Sequence, residues 1–310
     1  MSKSIADAPT VWKLLNGVLC VYKPSGETVH KVRGTLLTKL CEELNQLQCR
    51  PPRLYKEIVV NEKNETSVIV RPSFADHPLV VGPRYQQEDF RCKWSTYLGK
   101  NTSGVLVLGL NNGTKQVYAM HKRYPMRTYH LSGSLGYMTD NLFKDGKVIE
   151  KDTFTHVRRG GLEKILMMIQ ASNQRQMFEL SGVDIQSQEA YELASSGLIR
   201  PTKSDVPVIY NIKCVEFNPP DFTIEVNSIN EYEAYLMALI QNIGLRLHSL
   251  ATCTKIQCIK YSYFTLDDAL LKKHWTLQNI ITSLGNTHRK NSANVIKDHK
   301  ITTVQNDVRI

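Results

Sequence analysis

The residues GVLVLGL, Gly104–Leu110, form one of the longest apolar runs in the chain. A short apolar run bounded by turn residues is typical of a buried strand. Asn111, Asn112 and Gly113 follow it, and these residue types tolerate the positive φ of a tight turn. The run is far shorter than the roughly 20 apolar residues that cross a bilayer. The sequence therefore predicts a buried strand at the centre of a domain, and no membrane-spanning helix.

The residues before this strand predict a second strand, a helix and an irregular region. The run GVLCVY, Gly17–Tyr22, ends in Lys-Pro-Ser-Gly and reads as a buried strand that leads into a turn. Apolar residues recur every three or four positions over Thr35–Leu47, which is the pattern of an amphipathic helix. The stretch from about Cys49 to Glu88 is rich in proline, asparagine and charge, and predicts an extended insertion.

The residues after the central strand alternate between helical and strand patterns. A helix is predicted over about Thr114–His121, and another around Leu162–Ile169. Alternating apolar residues in Val208–Cys214 and Phe222–Val226, separated by two prolines, predict an antiparallel pair. A longer amphipathic helix spans about Glu231–Leu247. Strands and helices mixed without regular βαβ alternation favour an α+β domain.

Composition limits the partners and the compartment. The chain has 310 residues, 42% of them hydrophobic, so it can bury a large core without crosslinks. A net charge of +10 makes a polyanionic partner plausible. The seven cysteines form no C-x-x-C pair and no secretory segment precedes them, which indicates free thiols in a reducing compartment. No second pair of metal ligands stands at zinc-finger spacing, so no metal site is predicted.

The segment HKRYPMRTY, which ends at Tyr129, interleaves aromatic and basic side chains. Lys122, Arg123 and Arg127 alternate with Tyr124 and Tyr129, a mixture that pairs phosphates while it stacks bases. A solvated turn beside a buried tyrosine would give the same pattern. The residues alone leave both readings open.

Four motifs in order resemble the TruB-type RNA pseudouridine synthases. They are GVLCVYKPSG (Gly17–Gly26), TSGVLVLGL (Thr102–Leu110), RTYHLSGSLGYMTD (Arg127–Asp140) and EAYELASSG (Glu189–Gly197). The likeness is greatest to the mitochondrial branch of that family in animals, through GLIRP (Gly197–Pro201) and FTLDDALL (Phe264–Leu271). It runs from residue 17 to about 271. From the resemblance we expect no counterpart of the separate C-terminal RNA-binding module of bacterial relatives.

The resemblance implies a fold, a reaction and a set of contacts. The fold would be a pseudouridine synthase-type α+β domain, with a mixed, mostly antiparallel sheet flanked by helices. The reaction detaches uracil from C1′ of a uridine in RNA, turns the base and rejoins it through C5, without cofactor or metal. The base is first flipped into a pocket, where Tyr129 matches the ring that covers it. Lys23, with Pro24 and Gly26, matches a fixed turn near that pocket, and the basic residues before Tyr129 would hold the RNA backbone.

The catalytic aspartate of the family is missing. It lies in a loop of the form L-D-x-x-x-S/T-G-V-L, and this chain has Gly99 at its position. Glycine offers no nucleophile, acid or base. The arginine that pairs with the aspartate aligns with Met237, and Gln257 and Cys258 replace a basic pair. The resemblance therefore implies a relative that binds tRNA, rRNA or mRNA but has lost or impaired isomerase activity.

Two alternatives remain open. The first is an active isomerase with a non-standard catalytic residue, for which Glu88, Asp89 and Asp140 are the nearest carboxylates in sequence or motif. The second is a protein-interaction subunit that does not bind RNA. A substitute carboxylate would have to be placed as tightly as the lost one.

The sequence also suggests where the domain begins and ends and where in the cell the protein acts. We divide the chain into an N-terminal extension (1–16), a pseudouridine synthase-like RNA-binding domain (17–285) and a basic polar tail (286–310). The first sixteen residues form only a weak mitochondrial presequence, since Asp7 is acidic and no arginine is present. The family resemblance nevertheless implies a mitochondrial location, with RNA and proteins of mitochondrial RNA granules as partners.

Overall fold

A computed structural model describes residues 7–49, 54–60, 66–73, 78–95, 97–195, 199 and 205–298. None of the helices in these ranges combines the length and apolar character needed to cross a membrane. The seven cysteines are free thiols, as the sequence predicted. Of the segment 197–201, Ile199 is the one described residue, so the GLIRP motif lies mostly outside the described residues.

One large sheet forms the framework of the domain. The strands are β1 (Gly17–Lys23), β2 (Leu54–Val60), β3 (Thr66–Pro72), β4 (Cys92–Trp94), β5 (Thr102–Leu110), β6 (Arg127–Leu135), β7 (Tyr137–Thr139), β8 (Val148–Lys151), β9 (Val208–Asn218), β10 (Asp221–Ile229), β11 (Ala251–Tyr261) and β12 (Phe264–Thr265). The large sheet has the order β1-β5-β11-β6-β10-β9, with β4 at β5 and β12 at β11. Its described pairs are antiparallel except β5 with β11, which is parallel. This confirms the predicted mixed, mostly antiparallel sheet.

Helices cover the sheet. They are α1 (Ala8–Leu14), α2 (Val29–Gln46), α3 (Pro78–Val81), α4 (Gly113–His121), α5 (Arg159–Leu180), α6 (Gln188–Ser195), α7 (Glu233–Arg246) and α8 (Leu277–Asp298). Helix α7 packs on β11 and β6, and α5 packs on β9 and on α7. Helices α4 and α8 pack against β1. The strand predicted at 104–110 is β5, and every one of its side chains is buried.

Helix α5 is much longer than the sequence pattern predicted. The apolar stripe Leu162–Ile169 covers its first half, which joins the main core. The second half carries Met177 and Phe178, which belong to a separate apolar cluster with Val208 and Ile229. The two halves of α5 pack into different clusters, so their apolar residues do not form one continuous stripe. The predicted helix was therefore limited to the stripe of the first half.

The ends of the domain differ from the boundaries expected at residues 16 and 285. Ala8, Val11 and Leu15 are fully buried in the main core, and Ala8 N donates to Gln48 O at 3.1 Å. Helix α8 continues through residue 285 to Asp298. Residues 8–15 and the first part of the basic tail are therefore folded parts of the same unit.

Candidate functional site

The candidate site is built around residues 99–102, the loop that enters strand β5. The turn after β1 binds the carbonyl groups of this loop. Lys23 Nζ donates to Thr102 O at 2.6 Å and to Lys100 O at 3.2 Å. Ser25 Oγ donates to Asn101 O at 2.9 Å, and Gly26 N donates to Lys100 O at 2.9 Å. The Lys-Pro-Ser-Gly turn thus holds three consecutive carbonyl groups.

The amide groups of the same loop are held from helix α7. The carboxylate of Glu233, the first residue of α7, accepts hydrogen bonds from Thr102 N at 2.8 Å and Asn101 N at 3.2 Å. It also accepts a hydrogen bond from Thr102 Oγ1 at 2.6 Å. Because both kinds of backbone group are satisfied, the loop has a fixed conformation.

Glu233 also explains why residue 99 is glycine. A Cβ built on Gly99 would lie 2.7 Å from Glu233 Cβ, and would overlap the Glu233 carboxylate more closely still. The backbone of Gly99 does not have a positive φ, so its conformation does not demand glycine. Glycine is required because a side chain at position 99 would collide with Glu233. The carboxylate of Glu233, from α7, occupies the space that a side chain on residue 99 would need.

Lys23 is buried rather than directed at a phosphate. Its side chain is 0% exposed, and its amine also donates to Pro24 O at 3.2 Å. Burial lowers the pKa of Lys23 to about 8, although Glu233 and Glu27 act in the opposite direction. In this structure Lys23 therefore holds the loop from inside the fold, and its role in RNA binding stays a prediction.

Arg127 and Tyr129 are likewise buried, beside Glu231. Arg127 Nε forms an ion pair with the Glu231 carboxylate, and its Nη2 donates to Glu231 O at 2.9 Å. Burial lowers the pKa of Arg127, but Glu231 outweighs it and the pKa is raised overall. The Tyr129 ring is 2% exposed, with the Arg127 guanidinium 5.9 Å from its centroid. In this structure both side chains are enclosed by the fold, and their contact with RNA stays a prediction.

Lys122 and Arg123 are the two predicted contact residues that face solvent. Both lie at the end of α4, and Lys122 Nζ is 4.9 Å from the centroid of the exposed Tyr118 ring. The structure brings Lys23 together with the Gly99 loop, and Arg127 together with Tyr129. It leaves Lys122 and Arg123 on the surface.

Two of the other positions that the sequence analysis singled out, Met237 and Cys258, carry uncharged side chains inside the fold. Met237 is buried in the main core. Cys258 pairs with Tyr129 across β11 and β6, and burial raises its pKa to about 12. Arginine at either position would have needed a partner charge, because an unpaired buried charge costs about 3–5 kcal/mol.

The carboxylates proposed as substitutes have other partners. Asp140 Oδ1 accepts a hydrogen bond from Lys147 N at 3.0 Å, so it holds the turn between β7 and β8. Asp89 Oδ2 accepts one from Gln86 N at 2.9 Å, in the short helical turn that also contains Glu88. The carboxylate that does reach Gly99, Glu233, was missed. Acidic residues at the start of a helix are usually explained by the helix dipole, so no sequence signal distinguished it.

Comparison with known proteins finds one family model and several similar full-length proteins. The family model described as "TruB family pseudouridylate synthase (N terminal domain)" matches residues 94–232. Pseudouridylate synthase TRUB2, mitochondrial, of Xenopus tropicalis is 40% identical over 280 residues, covering 88% of this chain and 86% of that protein. Its Homo sapiens counterpart is 36% identical over 273 residues, covering 86% and 82%.

A distant likeness to a solved structure accompanies these matches. A chain in the crystal structure of the archaeal box H/ACA sRNP Nop10-Cbf5 complex is 14% identical with a TM-score of 0.46. The match covers 88% of this chain and 55% of that one, so this chain spans about half the length of the archaeal protein. A TM-score this low adds nothing to the sequence relatives, on which the family assignment rests.

Proposed function

The chain belongs to the TruB family of pseudouridylate synthases, and we propose that it is an RNA-binding member whose uridine isomerase activity is lost or impaired. It would keep the scaffold that accepts a flipped uridine in tRNA, rRNA or mRNA. It would act in the folding or maturation of that RNA. The relatives at 36–40% identity are named as mitochondrial proteins, which supports a mitochondrial location.

The relation between Gly99 and Glu233 carries this proposal. Nucleophilic or acid-base chemistry needs a placed group that is available to the substrate. Residue 99 has no side chain, and the carboxylate in its place accepts three hydrogen bonds from Asn101 and Thr102. Those bonds occupy both carboxylate oxygens with the loop. Glu233 would therefore stabilise the loop rather than attack the substrate.

The surface supports RNA as the partner. The net charge is +10, and Lys122 and Arg123 are exposed at the end of α4, where they would pair with phosphates. Lys23, Arg127 and Tyr129 would act from inside, by holding the loop and the floor of the site. Proteins that assemble with RNA in mitochondrial granules are a further proposed class of partner.

One observation favours a second candidate function, an active isomerase with a non-standard carboxylate. Glu233 occupies part of the volume in which the family aspartate would lie. If one hydrogen bond to the loop opened when RNA bound, a carboxylate oxygen would be released close to that position. This candidate names Glu233, rather than Glu88, Asp89 or Asp140, as the substitute.

Release of tritium from C5-labelled uridine distinguishes the candidates, because the isomerisation exchanges the C5 hydrogen. We would incubate labelled tRNA and rRNA transcripts with wild type, with Glu233→Gln and with an active bacterial TruB enzyme, and measure RNA affinity in parallel. Salt-dependent binding without release supports the RNA-binding proposal. Release that Glu233→Gln abolishes supports the second candidate. Absence of binding would reject both and favour a protein-interaction subunit.

A further inference from the structure

Helix α7 has two faces with different chemistry. At 3.6 residues per turn, Glu233 and Met237 share the face that meets the Gly99 loop and the core. Tyr235, Asn242 and Arg246 lie about half a turn away, on the face toward α5. The first face belongs to the site described above, whereas nothing in that site uses the second.

A groove runs between this second face and helix α5. It contains a cavity of about 170 Å³, lined from α7 by Tyr235, Asn242 and Arg246 and from α5 by Ile169, Ser172 and Asn173. Pockets for drug-sized ligands usually occupy about 300–1,000 Å³. The cavity is therefore suited to a single planar group or one anionic group.

The polar lining is mixed in a way that suits a nucleotide. The guanidinium of Arg246 is exposed, and its Nε donates to Asn242 Oδ1 at 2.8 Å, which orients it. Guanidinium groups bind phosphates, and amide and hydroxyl groups bind the edges of bases. Ser172 supplies the hydroxyl, and the ring of Tyr235 supplies an apolar wall.

Tyr232 connects the groove to the candidate site. It precedes Glu233, it is 60% exposed, and its ring centroid is 6.0 Å from that of Tyr235. The distance along α7 from Tyr232 to Arg246 is about 21 Å at 1.5 Å per residue. An exposed ring thus stands at the end of the groove nearest the Gly99 loop, and a cation stands at the far end.

We infer that the groove between α5 and α7 binds single-stranded RNA next to the uridine site, with a base on Tyr232 and Tyr235 and a phosphate at Arg246. This inference rests on the proposed RNA binding, but it holds whether or not the isomerisation takes place. The exposed ring of Tyr232, beside the half-buried ring of Tyr235, would stack on any base, and the guanidinium would pair with the backbone. The groove would therefore add affinity with little sequence preference.

The test measures binding of a fluorescent oligouridylate of about twelve nucleotides to the full chain at several salt concentrations. Tyr232→Ala should weaken binding about fivefold or more, in line with the loss of one base stack. Arg246→Gln should weaken it and reduce the salt slope by about one. Matched controls are Tyr191→Ala, an exposed tyrosine on α6, and Arg91→Gln, an exposed arginine outside the groove. All four side chains are exposed, so the variants should fold.

The outcomes separate this inference from the proposed function. If the wild type binds the oligouridylate and the groove variants bind it as tightly as their controls, the inference that the groove binds RNA is overturned. The proposed function is unaffected by that result. Equal losses in groove and control variants would also overturn the inference, because they would indicate general electrostatics. No salt-sensitive binding by the wild type would overturn both. Photocrosslinks from 5-iodouridine to Tyr232 or Tyr235 would independently support the groove.

Discussion

The carboxylate of Glu233 fills the space that a side chain on residue 99 would require. Residues 99 and 233 are far apart in sequence, and the contact brings the start of α7 against the loop before β5. The two residues constrain each other. Glycine at position 99 leaves room for the Glu233 side chain, and that side chain leaves no room for a larger residue at position 99.

Gly99→Ala should destabilise the protein by about 1–3 kcal/mol, because the added methyl group overpacks against Glu233. Gly34→Ala is the matched control, since a Cβ there meets nothing within 4 Å in helix α2, and it should be neutral or stabilising by up to about 1 kcal/mol.

Glu233→Ala alone should cost about 1–3 kcal/mol by leaving two loop amides unpaired. Urea unfolding of the double variant should show less than the summed loss. Strict additivity would mean that the two side chains do not collide.

Introducing the aspartate-arginine pair that the family resemblance implies should require three changes rather than two. In the double variant Gly99→Asp with Met237→Arg, the aspartate has no room while Glu233 remains. We expect the double variant to melt well below wild type, and the addition of Glu233→Ala to raise the melting temperature again. Thermal unfolding by circular dichroism measures this before any activity assay. A double variant as stable as wild type would show that the loop can move aside.

The Arg127–Glu231 pair should be far more important for stability than a surface pair. Glu231 is fully buried, so Glu231→Gln should cost about 3–5 kcal/mol by leaving the Arg127 charge without its partner. Glu163→Gln, which breaks the exposed Arg159–Glu163 pair on α5, is the control and should cost less than about 0.5 kcal/mol. Denaturant midpoints of the two variants provide the comparison. Similar losses would contradict the buried position of the first pair.

Lys23 should make the stability depend on pH above neutrality. Burial lowers its pKa in the folded protein to about 8, against 10.5 for an ordinary lysine. Between these values the unfolded chain binds the proton more tightly, so the free energy of unfolding should rise with pH from about 8 to 10.5. Lys23→Met should lack this rise, which amounts to at most about 3 kcal/mol. Both proteins share all thiol and phenol titrations, so their difference across pH isolates Lys23. A constant difference would contradict the lowered pKa.

Much of the framework could be predicted because local patterns determine it. The apolar runs that became β1 and β5, the alternation of β9 and β10 around two prolines, and the amphipathic stripes of α2 and α7 all read correctly from the sequence. The lengths of helices were less predictable. Helix α5 extends to Leu180 because its second half packs into a different apolar cluster, which no single periodic stripe reveals.

By itself the sequence determined which family the chain belongs to and which class of fold it adopts. It located the Gly99 loop, the lysine turn and the Arg127–Tyr129 strand, since ordered motifs and strand periodicity are local properties. Only the tertiary structure decided where each side chain lies. Lys23, Arg127 and Tyr129 face inward, and Glu233 of helix α7 fills the space beside Gly99. Burial and side-chain overlap depend on how segments that are distant in sequence pack together. The spacing of residues within one segment does not reveal that packing.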